Sequence, residues 1–141
     1  MESIQLEEVA SLIKSWEHDP HHLKECFLRL KKHLRKLEGV ELSCIARPGI
    51  SYSLRAAHAN QTGRGLFAMV DIIDDDPKDR WLSVCFYGDM INDPGHCGED
   101  VPEGLLGEDA TCFDICDDDA ELVEYVESRL DEAFQVAAKI H

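Results

Sequence analysis

The sequence predicts a two-layer α+β fold: an N-terminal helical hairpin and a C-terminal helix packed on a five-stranded antiparallel sheet. Apolar residues recur at helical spacing as far as Gly39, alternate from Val40 onwards, and return to helical spacing after Asp119. The chain has 141 residues, of which 44% are hydrophobic and 30% charged. We therefore expect one α+β domain over residues 1–141.

Two helices are predicted before the sheet. Residues 4–17 carry one apolar stripe, and Asp19-Pro20 is typical of a helix start, so a second helix is expected from there to Gly39. Its exposed face is basic, with Lys24, Arg29, Lys31, Lys32, Arg35 and Lys36. Such a face binds nucleic acid in some proteins, but it is more often solvated, and the acidic half of this chain offers neutralising partners.

Five strands are predicted from the alternation of side chains. They lie in residues 40–44, 50–54, 66–73, 81–87 and 111–116. The third is apolar on both faces except at Asp71, which indicates a central strand. Between the last two strands, Gly88 to Asp109 is predicted to be a long irregular loop and the first place to seek a site. Asp117 to Asp119 are expected to cap the final helix.

The net charge of −15 is unevenly distributed. Residues 1–70 hold 8 acids and 10 bases, whereas residues 71–132 hold 21 acids against Lys78, Arg80 and Arg129. An acidic surface repels phosphates and anionic lipid heads, so we expect no nucleic-acid or membrane partner and allow a basic protein partner. The opening MESIQLEEVA lacks the apolar core of a secretion signal. We therefore expect a cytoplasmic protein whose six cysteines are reduced thiols.

Four residues of the Gly88–Asp109 segment are candidate metal ligands: Asp89, Asp93, His96 and Cys97. Histidine and cysteine suit zinc, whereas carboxylates suit harder cations, so the set favours no single metal. We therefore expect no cofactor and keep a divalent metal as the alternative to a hydrogen-bonded polar loop. Cys97 beside His96 is the only adjacent thiol and base, and its acidic surroundings disfavour a thiolate.

Motifs that would indicate an enzyme are missing from the sequence. There is no G-x-S-x-G, no P-loop and no G-x-G-x-x-G before a helix. Cys112 and Cys116 lie too far apart in a strand to share a metal or a disulfide, at about 13 Å, so we interpret them as packing residues. The protein is more consistent with a binding module than with an enzyme.

Strand parity predicts a second sheet face of mixed composition. If Leu54, Leu82 and Phe113 face the helices, the opposite face holds a candidate partner-binding set. That set is Arg55, Phe67, Met69, Trp81 and Tyr87. If one helix crosses to this face, nothing is exposed; if none does, the patch is expected to be buried in a two-fold homodimer.

The segments RPGISYSLR and WLSVCFY resemble those of small bacterial domains. Terminal helices on an acidic antiparallel sheet are also similar in architecture to the frataxin-like iron chaperones, a resemblance that implies iron or divalent-metal delivery. Frataxins concentrate their acids on the first helix, whereas here the second helix is basic. Our leading hypothesis is a non-enzymatic module that binds a protein or a second copy of itself through the mixed face and the acidic loop.

Overall fold

The computed structural model describes residues 4–139. The fold is α+β, with two N-terminal helices, a six-stranded antiparallel sheet and a C-terminal helix that packs on the sheet. In chain order the elements are α1 Ile4–Ser15, α2 Leu23–Lys36, β1 Val40–Arg47, β2 Ser51–His58, β3 Ala68–Ile73, β4 Trp81–Tyr87, β5 Glu99–Leu105, β6 Glu108–Ile115 and α3 Ala120–Ala138. Within this described range, no helix is long and apolar enough to cross a membrane.

The sheet has the strand order β1-β2-β3-β4-β6-β5, so the prediction of five strands was wrong. The additional strand is β5, which lies inside the segment expected to be an irregular loop and pairs with β6 through Val101 and Ala110. It is an edge strand with Pro102, an irregular register between Val101 and Leu105, and exposure on both faces. Alternation fails there because neither face of the strand is buried.

One face of the sheet forms the core. Leu54, Val70 and Val84 are fully buried on three neighbouring strands, in register with one another. All three helices place their apolar stripes in the same cluster, through residues such as Val9, Phe27, Leu30, Val126 and Leu130. Helix burial is therefore concentrated on the even-numbered positions of the central strands.

The helix boundaries confirm one of the three predicted caps. Asp119 accepts a hydrogen bond from Leu122 N at 3.1 Å, as expected for the start of α3. Gly39 has a left-handed φ of 80°, but it lies two residues beyond the C-cap of α2, which is the extended Leu37. The start of α2 also differs from the prediction, since the helix begins at Leu23 rather than at Pro20. The Asp19 carboxylate still accepts from Leu23 N at 2.8 Å, across an intervening turn.

The basic face of α2 meets the acidic face of α3, as the charge asymmetry suggested. Arg29 donates to both carboxylate oxygens of Glu127, at 2.6 and 3.2 Å. His33 Nε2 lies 2.7 Å from Asp131 Oδ1. Part of the basic charge of α2 is therefore neutralised within the chain.

The start of β5 depends on a close approach at Gly98. A Cβ atom placed there would lie 2.8 Å from Thr111 Cγ2 and 2.9 Å from Phe113 Cε2. We expect Gly98→Ala to destabilise the fold by about 1–3 kcal/mol through overpacking, measured as a shift of the urea midpoint. Gly65→Ala is the matched control, because no atom lies within 4 Å of the added Cβ. Equal midpoints for the two variants would show that β5 does not need this glycine.

Candidate functional site

The face of the sheet opposite the helices is uncovered. Of the two predicted alternatives, a helix on this face or no helix there, the structure has the second. Met69, Trp81 and Cys112 are half-buried there, and Asp114 is exposed. We call this surface the open face, and its central residues are Ile45, Arg47, Ser53, Arg55, Met69, Asp71, Ile73, Trp81, Ser83, Cys85, Cys112 and Asp114. It is the candidate functional site because its side chains are not used by the helix-side core.

Three of the five predicted partner-binding residues lie on the open face. Arg55, Met69 and Trp81 belong to β2, β3 and β4 and alternate with buried core residues. Each is half-buried. The surface therefore combines a cation, a thioether and an indole, all with part of their area accessible.

Phe67 and Tyr87 are not accessible on that surface, so their predicted exposure is corrected. Phe67 comes just before β3 and is fully buried on the helix side, where its ring lies 6.2 Å from that of Phe134 in α3. Tyr87 is 2% exposed because the Arg64 guanidinium carbon lies 4.0 Å from its ring centroid. The alternation of side chains does not apply to Phe67, which precedes the paired residues of β3. Nor can it predict that the Arg64 side chain covers Tyr87.

A polar row crosses the middle of the open face. Ser53, Asp71 and Ser83 are register partners on β2, β3 and β4. Asp71 Oδ1 is buried and has no hydrogen-bond partner. Burial raises the pKa of Asp71, and this effect outweighs its hydrogen bond with Ser53 and the attraction of Arg55 and Arg47. The row thus contains a carboxylate held in an unfavourable environment.

The charges of the open face are separated across the sheet. Arg47 and Arg55 lie on β1 and β2, whereas Asp114 and Glu99 lie on β6 and β5 at the other side. Glu41, at one end of β1, is the acidic exception on the basic side. Burial, followed by repulsion from Glu99, raises the pKa of Asp114. This pair is therefore a concentration of negative charge that an opposing cation would relieve.

The four predicted metal ligands belong to a turn that is anchored on α3. Asp93 accepts hydrogen bonds from Cys97 N at 3.0 Å and Gly98 N at 2.9 Å, and also from the Tyr125 hydroxyl. Burial opposes ionisation of Asp93, but these hydrogen bonds lower its pKa. His96 has a φ of 52° in the same turn. The structure thus gives Asp93 a role in holding the turn together.

Asp89 is engaged elsewhere, with Arg64 at 2.8 Å. Arg64 also pairs with Glu108 at 2.8 Å, and hydrogen bonds from Arg64 lower the pKa of Asp89. Among residues 4–139, no group of three His, Cys, Asp or Glu side chains is arranged to hold a metal ion. The geometry therefore supports the hydrogen-bonded polar loop rather than the metal site.

A shallow cavity of about 340 Å³ lies beside this ion cluster, lined by Gln61, Arg64, Asp89 and Glu108 among others. Arg64 is the cation that would attract an anionic substrate, and the carboxylates of Asp89 and Glu108 already neutralise it. The cavity thus offers a bound ligand little uncompensated charge.

The cysteine contact that the sequence did not predict joins β4 to β6. Cys112 was interpreted as a packing residue and compared only with Cys116, whereas its register partner is Cys85. The sequence predicts these two strands as consecutive, but the long segment between them does not fix which of their residues face each other. That register is set only by tertiary packing.

The environment of Asp71 predicts a stabilising substitution. We expect Asp71→Asn to raise the free energy of unfolding by about 1 kcal/mol at neutral pH, since it removes an unsatisfied buried charge. Because the folded-state pKa of Asp71 is raised, the wild type loses stability as pH rises from about 4 towards that pKa. The advantage of the variant should therefore disappear in acid.

Urea unfolding of both proteins across this pH range measures the effect. Asp75→Asn is the control, because Asp75 is exposed in the turn after β3 and should give nearly the wild-type curve. An Asp71→Asn protein that is less stable than wild type at neutral pH would mean that the Asp71 carboxylate makes a necessary contact.

Comparison with known proteins adds no relative: no family model, no curated protein and no solved structure matches this chain. The candidate function therefore rests on the open face, on its partly exposed apolar side chains and on its separated charges.

Proposed function

We propose that this protein is a non-enzymatic interaction module that self-associates, with the open faces of two copies packed together as a two-fold homodimer. The observation that carries the proposal is the uncovered sheet face, whose basic side and acidic side are complementary. The β5 edge of the acidic 88–109 segment belongs to the same surface through Glu99. A partner copy would cover the half-exposed side chains that the helices leave accessible.

A two-fold axis parallel to the strands, between β3 and β4, satisfies the charges. Given the strand order, such an axis places β2 of one copy over β6 of the other, and β1 over β5. Arg55 is level with Cys112, so it then lies about 7 Å along the strand from Asp114 of the second copy, a distance that an arginine side chain can span. The contact occurs twice because the interface is symmetric, so two opposite-charge contacts relieve the negative charge around Asp114.

Apolar side chains flank the polar row of the same interface. Around the axis, β3 of one copy lies over β4 of the other, which brings Ile73 opposite Trp81 and Met69 opposite Cys85. Tryptophan is among the residues that contribute most to protein interfaces. The half-buried state of Trp81 also limits the side-chain entropy lost on association.

The size of the face predicts a dimer of moderate affinity. Six strands spaced about 4.8 Å apart and about 3.3 Å per residue along each strand give a face of roughly 24 by 23 Å, or about 550 Å² per copy. Stable interfaces typically bury about 800 Å² per partner. We therefore expect an equilibrium between monomer and dimer that depends on protein concentration.

Replacing Trp81 with Glu is expected to abolish the dimer while leaving the monomer folded. The substitution places a charge at the apolar contact between Trp81 and Ile73 of the second copy, where it would lose its hydration. Sedimentation velocity over a concentration series measures the change, and circular dichroism checks the fold. Leu28→Glu is the matched control, because Leu28 is 45% exposed on α2, on the helix side. A wild-type chain that stays monomeric at high micromolar concentration, or a Leu28→Glu protein that also loses the dimer, would contradict the proposal.

Charge reversal tests the orientation of the two copies. Arg55→Asp alone and Asp114→Arg alone should each weaken the dimer, since each leaves like charges opposed. The double variant should recover most of the association, because the pair is restored with its signs exchanged. If the double variant lost as much dimer affinity as the two single variants together, this pairing of β2 with β6 would be ruled out.

A basic protein partner is the second candidate, and the net charge of −15 with 21 acids in residues 71–132 favours it. Salt distinguishes the two candidates. Binding to a basic partner should weaken steeply as ionic strength rises. Self-association should change little, because salt weakens the local pairs but also screens repulsion between two copies of charge −15. Association measured at low and high salt with a defined basic protein such as a histone, and with the chain alone, makes the comparison.

The enzyme and frataxin-like alternatives receive no comparable support from the part of the chain that the structure describes. The thiol of Cys97 donates to the Gly95 carbonyl at 3.7 Å, and Asp93 is committed to its turn. Iron delivery would need a group of carboxylates free to coordinate.

A further inference from the structure

Cys85 and Cys112 form a facing pair of thiols on the open face. They are register partners on the adjacent antiparallel strands β4 and β6. Cys85 is 7% exposed and Cys112 is half-buried, so the pair lies at the surface under partial cover. The Ser83 hydroxyl lies 3.6 Å from the Cys85 sulfur.

We propose that Cys85 and Cys112 are a redox site that forms a reversible disulfide between β4 and β6. Facing residues on antiparallel strands have Cα atoms about 4.5 or 5.5 Å apart, and both distances fall within the 4.4–6.8 Å found in disulfides. Their Cβ atoms, at about 4.5–5.5 Å, need to approach by no more than about 1 Å to reach the disulfide range. The bond therefore forms without rearrangement of the sheet.

The two thiols have different roles in this reaction. The hydrogen bond from Cys112 lowers the pKa of Cys85, with help from Ser83 and against the effect of burial. The same hydrogen bond, followed by burial, raises the pKa of Cys112. We assign Cys85 as the nucleophile because the Ser83 hydroxyl lies 3.6 Å from its sulfur, and Cys112, its register partner, as the resolving thiol.

A hydroperoxide is the class of oxidant that balances the reaction. The Cys85 thiolate attacks the peroxide oxygen, the O–O bond breaks, and Cys85 becomes a sulfenic acid while the leaving oxygen takes up a proton. The Cys112 sulfur then attacks the sulfenic sulfur, the S–O bond breaks, and water leaves with the Cys112 proton. Two thiols lose two electrons, and the peroxide gains them.

The remaining cysteines lack these features. Cys26 and Cys44 are buried, and burial raises the pKa of both, that of Cys44 to about 11. Burial, followed by repulsion from Asp114, also raises the pKa of Cys116. Cys97 is exposed, in the turn that Asp93 holds. Oxidation is therefore expected to be selective for the facing pair.

The disulfide lies within one chain, so its formation does not depend on the proposed dimer. Cys112 is partly exposed, and disulfides that are accessible at the surface are more easily reduced. Reversibility by mild thiol reductants follows. Along β4, Cys85 is two residues from Ser83 and four from Trp81 on the same face, which puts the redox state of the pair within the proposed interface.

The test uses the full chain, reduced and then treated with hydrogen peroxide at low protein concentration. Free thiols should fall from six to four, and the intact mass should decrease by two hydrogen atoms. Cleavage after glutamate places Cys85 in residues 42–99 and Cys112 in residues 109–121. Mass spectrometry should therefore find these two peptides joined, and dithiothreitol should separate them.

Two sets of variants assign the bond. In Cys97→Ser/Cys116→Ser the cross-link should persist, and residues 109–121 then contain Cys112 as their only thiol. Fragmentation of the joined peptides in this variant distinguishes Cys85 from Cys44, so the assignment does not require a change to the pair itself. In Cys112→Ser the cross-link should be absent. Sulfinic or sulfonic acids without a cross-link, a bond to Cys44, or a cross-link that survives Cys112→Ser would each overturn the proposal.

Discussion

Packing of all three helices on the same face of the sheet is the constraint on which the other features depend. The apolar stripes of α1, α2 and α3 and the even-numbered residues of β2, β3 and β4 form one continuous core. Burial of that apolar area is the main stabilisation of the fold. Its geometric consequence is that the odd-numbered residues receive no helix, which leaves an open face on an otherwise well-packed chain.

Charge is used differently on the two sides of the sheet. On the helix side, opposite charges meet within the chain, as in the contacts of Arg29 with Glu127 and of His33 with Asp131. On the open face, Arg47 and Arg55 are several strands away from Asp114 and Glu99, so the charges are separated rather than paired. Ion pairs on an exposed surface contribute little to folding, whereas separated charges on a flat surface can specify the orientation of a partner.

The polar groups in the centre of the open face are poorly accommodated in the isolated chain. Asp71 has an unpartnered buried oxygen, and burial raises its pKa. Features that reduce stability in this way often mark functional surfaces. The loop that was kept as an alternative metal site shows the opposite condition, since Asp93 accepts several well-formed hydrogen bonds and stabilises its own turn.

The sequence alone determined the fold class, the three helices, the strands with one buried face and the cap at Asp119, because each of these is encoded by local spacing and local hydrogen bonds. It also placed Arg55, Met69 and Trp81 on the second face. Only the tertiary structure decided that this face is uncovered, that Phe67 and Tyr87 are buried, that β5 exists, and that Cys85 faces Cys112. These features depend on contacts between residues distant in the chain. An exposed edge strand such as β5 also lacks the alternation of apolar and polar residues from which strands are predicted.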